Sequence, residues 1–302
     1  MTIRVFAPAT IGNVGPGFDC LGLCLEGLGD IISAEPADTL SIGRIEGRSA
    51  DLIPTDPEKN TATIAAKAFL EAIGSSTGIK LSIERHLPVS GGLGSSAASA
   101  VGGAMAAAVL NGCKASDPRI IEAALTAESS SSGKHLDNIA PCFYGGLTIV
   151  QNIEPIHIIQ APVAGSWWIA VVSPAIELDT KKSRKALPTE LPTEAWVKQN
   201  VNTAGMLAGL ATDDGEIFVK SFEDLFAEPA RSPLIPPYQD VKSAALKAGA
   251  LGCTISGGGP SIFAVAKSQE AAQSIGQAMQ DVAGAGATLH VSAFAKEGAR
   301  II

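Results

Sequence analysis

Hydrophobic and polar positions change period several times along the chain. Over residues 79–86 (IKLSIERH), Ile79, Leu81 and Ile83 alternate with Lys80, Ser82 and Glu84, the period of a strand with one buried face. Short β-prone runs follow at 145–150 (GGLTIV), 167–172 (WWIAVV), 261–266 (SIFAVA) and 288–294 (TLHVSAF). Apolar spacing predicts helices over 60–73, 95–110, 117–128, 193–211, 240–249 and 268–280, with Asn60 as the N-cap of the first. Residues 152–166, with Pro155 and Pro162, read as irregular and mark the expected boundary between an N-terminal domain (1–155) and a C-terminal domain (156–302). No fixed period recurs, which excludes solenoids and propellers. Strands and helices alternate too unevenly for a doubly wound sheet, so the expected class is α+β with mixed or antiparallel sheets.

Two glycine-rich segments interrupt this pattern. PVSGGLGSSAA (88–98) follows the 79–86 strand and opens the 95–110 helix. A strand, a glycine loop and a helix N-terminus make an anion cradle, because first-turn N–H groups lack intrahelical partners and the helix dipole is positive there. Gly91, Gly92 and Gly94 let the backbone approach a phosphate, and Ser95 and Ser96 add hydroxyls. The segment has no lysine in the Walker A position and no G-x-G-x-x-G register, and Gly133–Lys134 is followed by His135, so neither familiar phosphate loop is present. Taken alone, it fits a serine-capped glycine turn equally well. The second segment, GCTISGGGPS (252–261), has three glycines before a proline and cannot be a strand interior; alone it reads as a hairpin or bulge. A third stretch, ESSSSGKHLDNIAPCFYGG (128–146), brings Glu128, His135, Asp137 and Asn138 together and alone reads as a solvated loop.

Composition narrows the ligand classes. The 302 residues are 46% hydrophobic and 17% charged, enough for a substantial core and incompatible with disorder or collagen. A net charge of −8, with no basic stripe and no clustered aromatics, disfavours nucleic acid and anionic membrane as partners. Any anionic ligand must therefore be held by a local device. The N-terminus lacks a signal-peptide pattern, and the most apolar run, 97–110, is too short to span a bilayer. Five dispersed cysteines and four unclustered histidines show no metal spacing. The expectation is a soluble, cytoplasmic protein with reduced thiols.

Together with APATIGNVGPGFDCLGLCL (7–25), the segments at 88–98 and 252–261 resemble, in order, the signature set of the GHMP kinases, named for galactokinase, homoserine kinase, mevalonate kinase and phosphomevalonate kinase. Within that family the N-V-G-P-G-F-D at 13–19, the H-L-D-N-I-A-P at 135–141 and the arginine after Glu228-Pro229-Ala230 are similar to the members that act on homoserine. The resemblance covers nearly the whole chain. It implies a two-domain α+β fold, an N-terminal ATP-binding domain, and ATP and acceptor in the cleft between domains. It further implies ATP-dependent phosphorylation of the side-chain hydroxyl of L-homoserine, a step of threonine biosynthesis, and is compatible with a homodimer.

The resemblance also assigns residues. Pro88, Val89, Ser90, Gly91, Gly92, Leu93, Gly94, Ser95, Ser96, Ala97 and Ala98 would wrap the triphosphate, and Gly257, Gly258 and Gly259 would close over it. Asn60 resembles a base-side position, although an N-cap explains it as well. Ser96 and Glu128 would hold Mg2+, which takes hard oxygen ligands and completes its shell with phosphate and water. Asp19 with Asn13 resembles the ammonium side of the acceptor pocket, and Arg231 with Arg184 and Thr180 the carboxylate side, where a guanidinium fork suits a planar carboxylate. Asn138 would orient the acceptor hydroxyl while Asp137 beside it is structural; Asp137 and His135 stay open as proton acceptors, since a loose transition state tolerates late proton loss. Lys134 departs from the family pattern and is expected to face solvent, and Cys142 and Cys253 to be packed. Two other readings remain: a GHMP kinase for mevalonate or a sugar, or a non-catalytic binding protein, which has no need of Ser96 and Glu128.

Overall fold

The computed structural model describes residues 2–129, 133–178 and 180–302, with all their side chains except those of Thr180 and Lys181. Its first two strands, β1 (Ile3–Gly12) and β2 (Leu21–Ala37), fall where no alternation is visible in the sequence. The reason is burial on both faces: every residue of β1 from Ala7 onwards is buried, as are the first five of β2, so the period of two is erased. The chain continues through β3 (Ser41–Gly47), α1 (Thr61–Ala72), β4 (Gly78–Arg85), α2 (Ser95–Leu110), α3 (Arg119–Ser129), α4 (Ile139–Tyr144), β5 (Leu147–Ile153) and β6 (Ile156–Ala161). β1, β2, β4 and β3 lie side by side, with β3 parallel to β4 and the other pairs antiparallel, while β5 pairs with both β2 and β6.

Helices α1, α2 and α3 pack together, and α2 also lies against β1 and β2. Its residues Ala97 to Ala108 are all buried, which explains a helix of alanine and glycine with no polar face. Small residues let it approach its neighbours closely: a Cβ on Gly103 would stand 2.2 Å from the backbone oxygen of Ala62 in α1.

The second sheet is built from β7 (Trp168–Ser173), β8 (Gly252–Ile255), β9 (Ile262–Ala266) and β10 (Thr288–Ala293) in the order β10-β7-β9-β8, all antiparallel. Between and after these strands come α5 (Thr180–Lys185), α6 (Thr193–Thr212), α7 (Gly215–Ser221), α8 (Ala227–Arg231), α9 (Tyr238–Lys247) and α10 (Gln269–Val282). Tyr238 and Val241 of α9 and Ile275 and Met279 of α10 close a second core against Val172, Ile262 and Ala264. A final strand, β11 (Arg300–Ile301), returns to pair with β1. The fold is α+β with mixed and antiparallel sheets.

Three expectations differ from the structure. Residues 156–161 are a strand paired with β5 in the first sheet, not irregular. Pro155 sits in the β5–β6 turn, and β6 has a half-exposed edge whose few apolar contacts left a weak pattern. Residues 252–255 form β8, so the second glycine loop is confined to 256–261. From Leu136 to Phe143 the third stretch is mostly buried rather than a solvated loop, with Leu136, Asp137 and Ile139 to Phe143 in the interior; residues 130–132 lie outside the described part. No described helix is long and apolar enough to cross a membrane.

Gly103→Ala tests the α1–α2 contact. Better helix propensity would gain about 0.5–1 kcal/mol, but overpacking against a backbone oxygen costs about 1–3 kcal/mol. The urea midpoint is expected to fall; a rise would show that the helices separate without cost.

Candidate functional site

A cavity of about 820 Å³ opens where loops from the two sheets meet. One end of it starts at the loop between β4 and α2. Gly94 is the N-cap of α2, at φ 66°, and no side chain caps the helix, so the serine-cap reading fails. The Ser95 hydroxyl instead receives a hydrogen bond from Arg85, at 2.5 Å. Uncapped first-turn N–H groups and the positive helix end are left for an anion. The loop is held from the other sheet: the Ser256 hydroxyl donates to the Gly92 carbonyl at 2.5 Å, and the Ser261 hydroxyl and N–H both donate to the Gly91 carbonyl. Contact is so close that a Cβ on Gly92 would lie 2.4 Å from the Ser256 carbonyl oxygen.

Of the expected nucleotide residues, Val89, Ser90, Gly91, Gly92, Gly94, Ser95, Ser96 and Ala97 line the cavity, as do Gly257, Gly258 and Gly259. Pro88, Leu93 and Ala98 do not; they are buried on the core side of the loop and first turn. Asn60 is the N-cap of α1. Its side chain accepts from Ala62 N–H at 3.0 Å as an N-cap, donates to the Pro54 carbonyl at 2.8 Å, and lines the cavity beside Leu52, Ile53 and Pro54.

At the cavity wall, the Ser96 hydroxyl donates to the Glu128 carboxylate at 2.6 Å. These are two adjacent hard oxygen donors, and no group of three or more metal-ligating His, Cys, Asp or Glu side chains occurs among the described residues. Such a set fits a cation that needs few protein ligands, as magnesium does beside phosphates, and does not fit a structural zinc site.

The other end is built on the loop between β1 and β2. Asn13 and Asp19 adopt left-handed backbone angles, φ 55° and 54°, a region that Asn and Asp tolerate better than most side chains. The Asn13 side chain accepts the Asp19 N–H at 2.7 Å, which fixes the Asp19 carboxylate. Arg184 of α5 pairs with that carboxylate through two hydrogen bonds of 2.9 and 2.7 Å, and His135 Nδ1 lies 3.7 Å away. The two residues expected on opposite sides of an acceptor are thus partnered with each other. Thr180 opens α5, but its side chain lies outside the described part.

Arg231, at the end of α8, is 4% exposed. It donates to the Gly257 carbonyl at 2.8 Å, while its Nε has no partner. Burial pulls its pKa down, against the opposing pull of the Asp19 carboxylate. Both arginines lie over the ring of Phe18, at 5.1 and 5.3 Å from its centre, and Phe226 meets that ring edge-on. Asn138 accepts the Thr10 hydroxyl at 2.9 Å. Asp137 is buried against Gly12, where a Cβ would stand 2.3 Å from its Oδ2. Burial first, then the Asp19 charge, pushes the Asp137 carboxyl up to about 7, with the N–H groups of Asp137 and Asn13 opposing.

Lys134 is exposed and paired with Glu154, as the solvent reading expects. Cys142 and Cys253 are buried, with thiols held protonated by desolvation, the latter pushed up to about 12. Sequence reading missed Thr10, Phe18 and Gln199. The Gln199 amide on α6 donates to the Pro16 carbonyl and to Asp224, and accepts the Leu225 N–H, tying the Asp19 loop to the head of α8. A lone Gln in an amphipathic helix carries no local signal of this kind.

Residues 60–146 match the profile of the GHMP kinases N terminal domain, and residues 206–285 that of the GHMP kinases C terminal domain. The chain belongs to the GHMP kinase family. A homoserine kinase of Chlorobium phaeobacteroides is 37% identical over 100% of this chain and 99% of its own length. The homoserine kinase of Arabidopsis thaliana is 40% identical over 92% of this chain and 78% of that protein. The crystal structure of homoserine kinase from Cytophaga hutchinsonii superposes with a TM-score of 0.94 at 41% identity, covering 100% of this chain and 97% of that one.

The buried Asp137 carboxyl makes a stability prediction. Its folded-state pKa of about 7 lies above the unfolded value of about 3.9, so the native state keeps a proton that the unfolded chain loses between those pH values. Stability contributed by this group is therefore present at pH 4 and lost as pH rises to about 7. Asp137→Asn removes that loss, on the order of a few kcal/mol. It should raise the melting temperature relative to the parent at pH 8 but not at pH 4; equal effects at both would contradict the burial argument.

Proposed function

We propose that this protein transfers the γ-phosphoryl group of ATP to the side-chain hydroxyl of L-homoserine, giving O-phospho-L-homoserine and ADP. The observation that carries the acceptor assignment is Arg231: a buried guanidinium with a partnerless Nε, in the same cavity as the Asp19 carboxylate. A cation and an anion in one small pocket suit a zwitterion, whereas mevalonate or a sugar has no ammonium for Asp19 to hold. The homoserine kinases named above, similar over the whole chain, support the same reading.

The glycine loop and the start of α2 bind the triphosphate through uncharged backbone N–H groups and the helix dipole. Ser96 and Glu128 hold Mg2+. When bound, that ion neutralises charge on the transferring phosphoryl group. The ammonium of homoserine takes the Asp19 oxygens and releases Arg184 towards the acceptor carboxylate, where Arg231 already waits. Asn138 has its oxygen engaged by Thr10, so its NH2 is the donor that orients the acceptor hydroxyl. Asp137, packed against Gly12, is assigned a structural role, because a loose transition state lets the acceptor proton leave late without a dedicated base.

A coupled assay of ADP release tests the whole reading. Turnover is expected with L-homoserine and to depend on magnesium; preference for mevalonate or galactose would overturn the acceptor assignment. Arg231→Ala removes a charge-assisted hydrogen-bond donor worth about 2–3 kcal/mol, so KM for homoserine should rise on the order of 30-fold or more with KM for ATP nearly unchanged. Asp137→Asn should keep most of its turnover, and a collapse in the folded variant would make Asp137 the base instead.

A further inference from the structure

A buried charge pair that the proposed chemistry does not use lies behind the glycine loop. Asp30, in β2, is fully buried, and its Oδ1 accepts the N–H groups of His86 and Leu87 at 2.7 and 2.9 Å. These two residues are where the chain leaves β4 and enters the loop. Arg85, the last residue of β4, is 3% exposed and reaches the other end of the same loop. Its Nη2 donates to Ser95 Oγ at 2.5 Å and to the Leu87 carbonyl at 3.3 Å, and its Nη1 donates to Ser99 Oγ at 3.4 Å. Arg85, Ser95 and Ser99 all line the cavity.

As a stabilising element the pair is poor. The closest approach of the two charges is 3.4 Å, and both Asp30 Oδ2 and Arg85 Nε lack a hydrogen-bond partner. Burial raises the pKa of Asp30 and lowers that of Arg85, so desolvation works against both charges. A buried pair with unsatisfied atoms is commonly no better for stability than apolar side chains of the same volume. Its geometry does something an apolar pair cannot, which is to grip the two ends of one loop through directional bonds.

We propose that Asp30 and Arg85 are positioning residues for nucleotide binding: Asp30 fixes the entry of the 86–94 loop, Arg85 fixes its exit at the first turn of α2, and together they set the span over which the phosphates are held. This rests on ATP use by the family and not on the identity of the acceptor.

The experiment compares Arg85→Met, Arg85→Lys, and the double variant Asp30→Asn with Arg85→Met, measuring melting temperature, ADP affinity by calorimetry with magnesium present, and KM for each substrate. Arg85→Met leaves the Asp30 carboxylate buried alone and should lower the melting temperature. The double variant removes both charges and should recover it. Nucleotide affinity should stay weakened in both, by about 10–100-fold, the order of one lost charge-assisted hydrogen bond holding the loop. KM for homoserine should change less than about twofold, and Arg85→Lys, which keeps a charge but not the fork, should fall between. Should Arg85→Met fail to fold, the double variant and Ser95→Ala, which removes the hydroxyl Arg85 grips, carry the test through their ADP affinities. Wild-type ADP affinity in the double variant, or equal losses for both substrates, would make the pair purely structural. A wild-type protein that binds ADP but ignores homoserine would reject the acceptor assignment and leave this proposal standing.

Discussion

The contact on which the rest of the site depends is the packing of one glycine-rich loop on the other. Ser256 and Ser261 take up the carbonyls of Gly92 and Gly91, and the Gly257 N–H takes up the carbonyl of Gly12 at 3.0 Å. Buried backbone acceptors are thereby satisfied without any side chain from the first sheet. The same second loop presents the Gly257 carbonyl to Arg231 and the Gly258 carbonyl to the Ser183 hydroxyl. The first glycine loop, the end of β1, α5 and α8 are fastened at one junction, which fixes the two ends of the cavity relative to each other.

Around that junction the molecule tolerates features that cost stability. Asn13 and Asp19 hold left-handed backbone angles, Asp137 is a carboxyl displaced towards neutrality by burial, and Arg231 is a buried cation with an open donor. Each is the kind of local strain that collects where a ligand later supplies the missing partner. The net charge of −8 does not conflict with an anionic ligand, because the field at the first glycine loop comes from a helix end and its nearest side chains rather than from the whole surface.

Legibility in the sequence followed burial. Strand β4, with one face in the core, shows its alternation plainly, and an amphipathic helix such as α10 announces where it starts, the Ser268 hydroxyl accepting the Ala271 N–H at its N-terminus. β1 from Ala7 onwards and the start of β2 are buried on both faces and show nothing of period two. Short helices such as α8 have too few turns to display a period at all. In the site, the glycine loops were readable because a glycine at a tight approach leaves a local mark, whereas Gln199, Thr10 and Phe18 act only through partners far away in the chain.

By itself, the sequence determined the α+β class, the family, the two glycine loops and the set of charged residues available to an acceptor, since backbone permissiveness and residue chemistry are written locally. Only the tertiary structure decided who meets whom. It paired Arg184 with Asp19 across 165 positions, buried Arg231 against Gly257, turned Leu93 and Ala98 into the core, and set Arg85 to grip Ser95 while Asp30 held the loop's other end. Those pairings depend on how two sheets and their helices pack, and packing is a property of the whole chain that no local pattern contains.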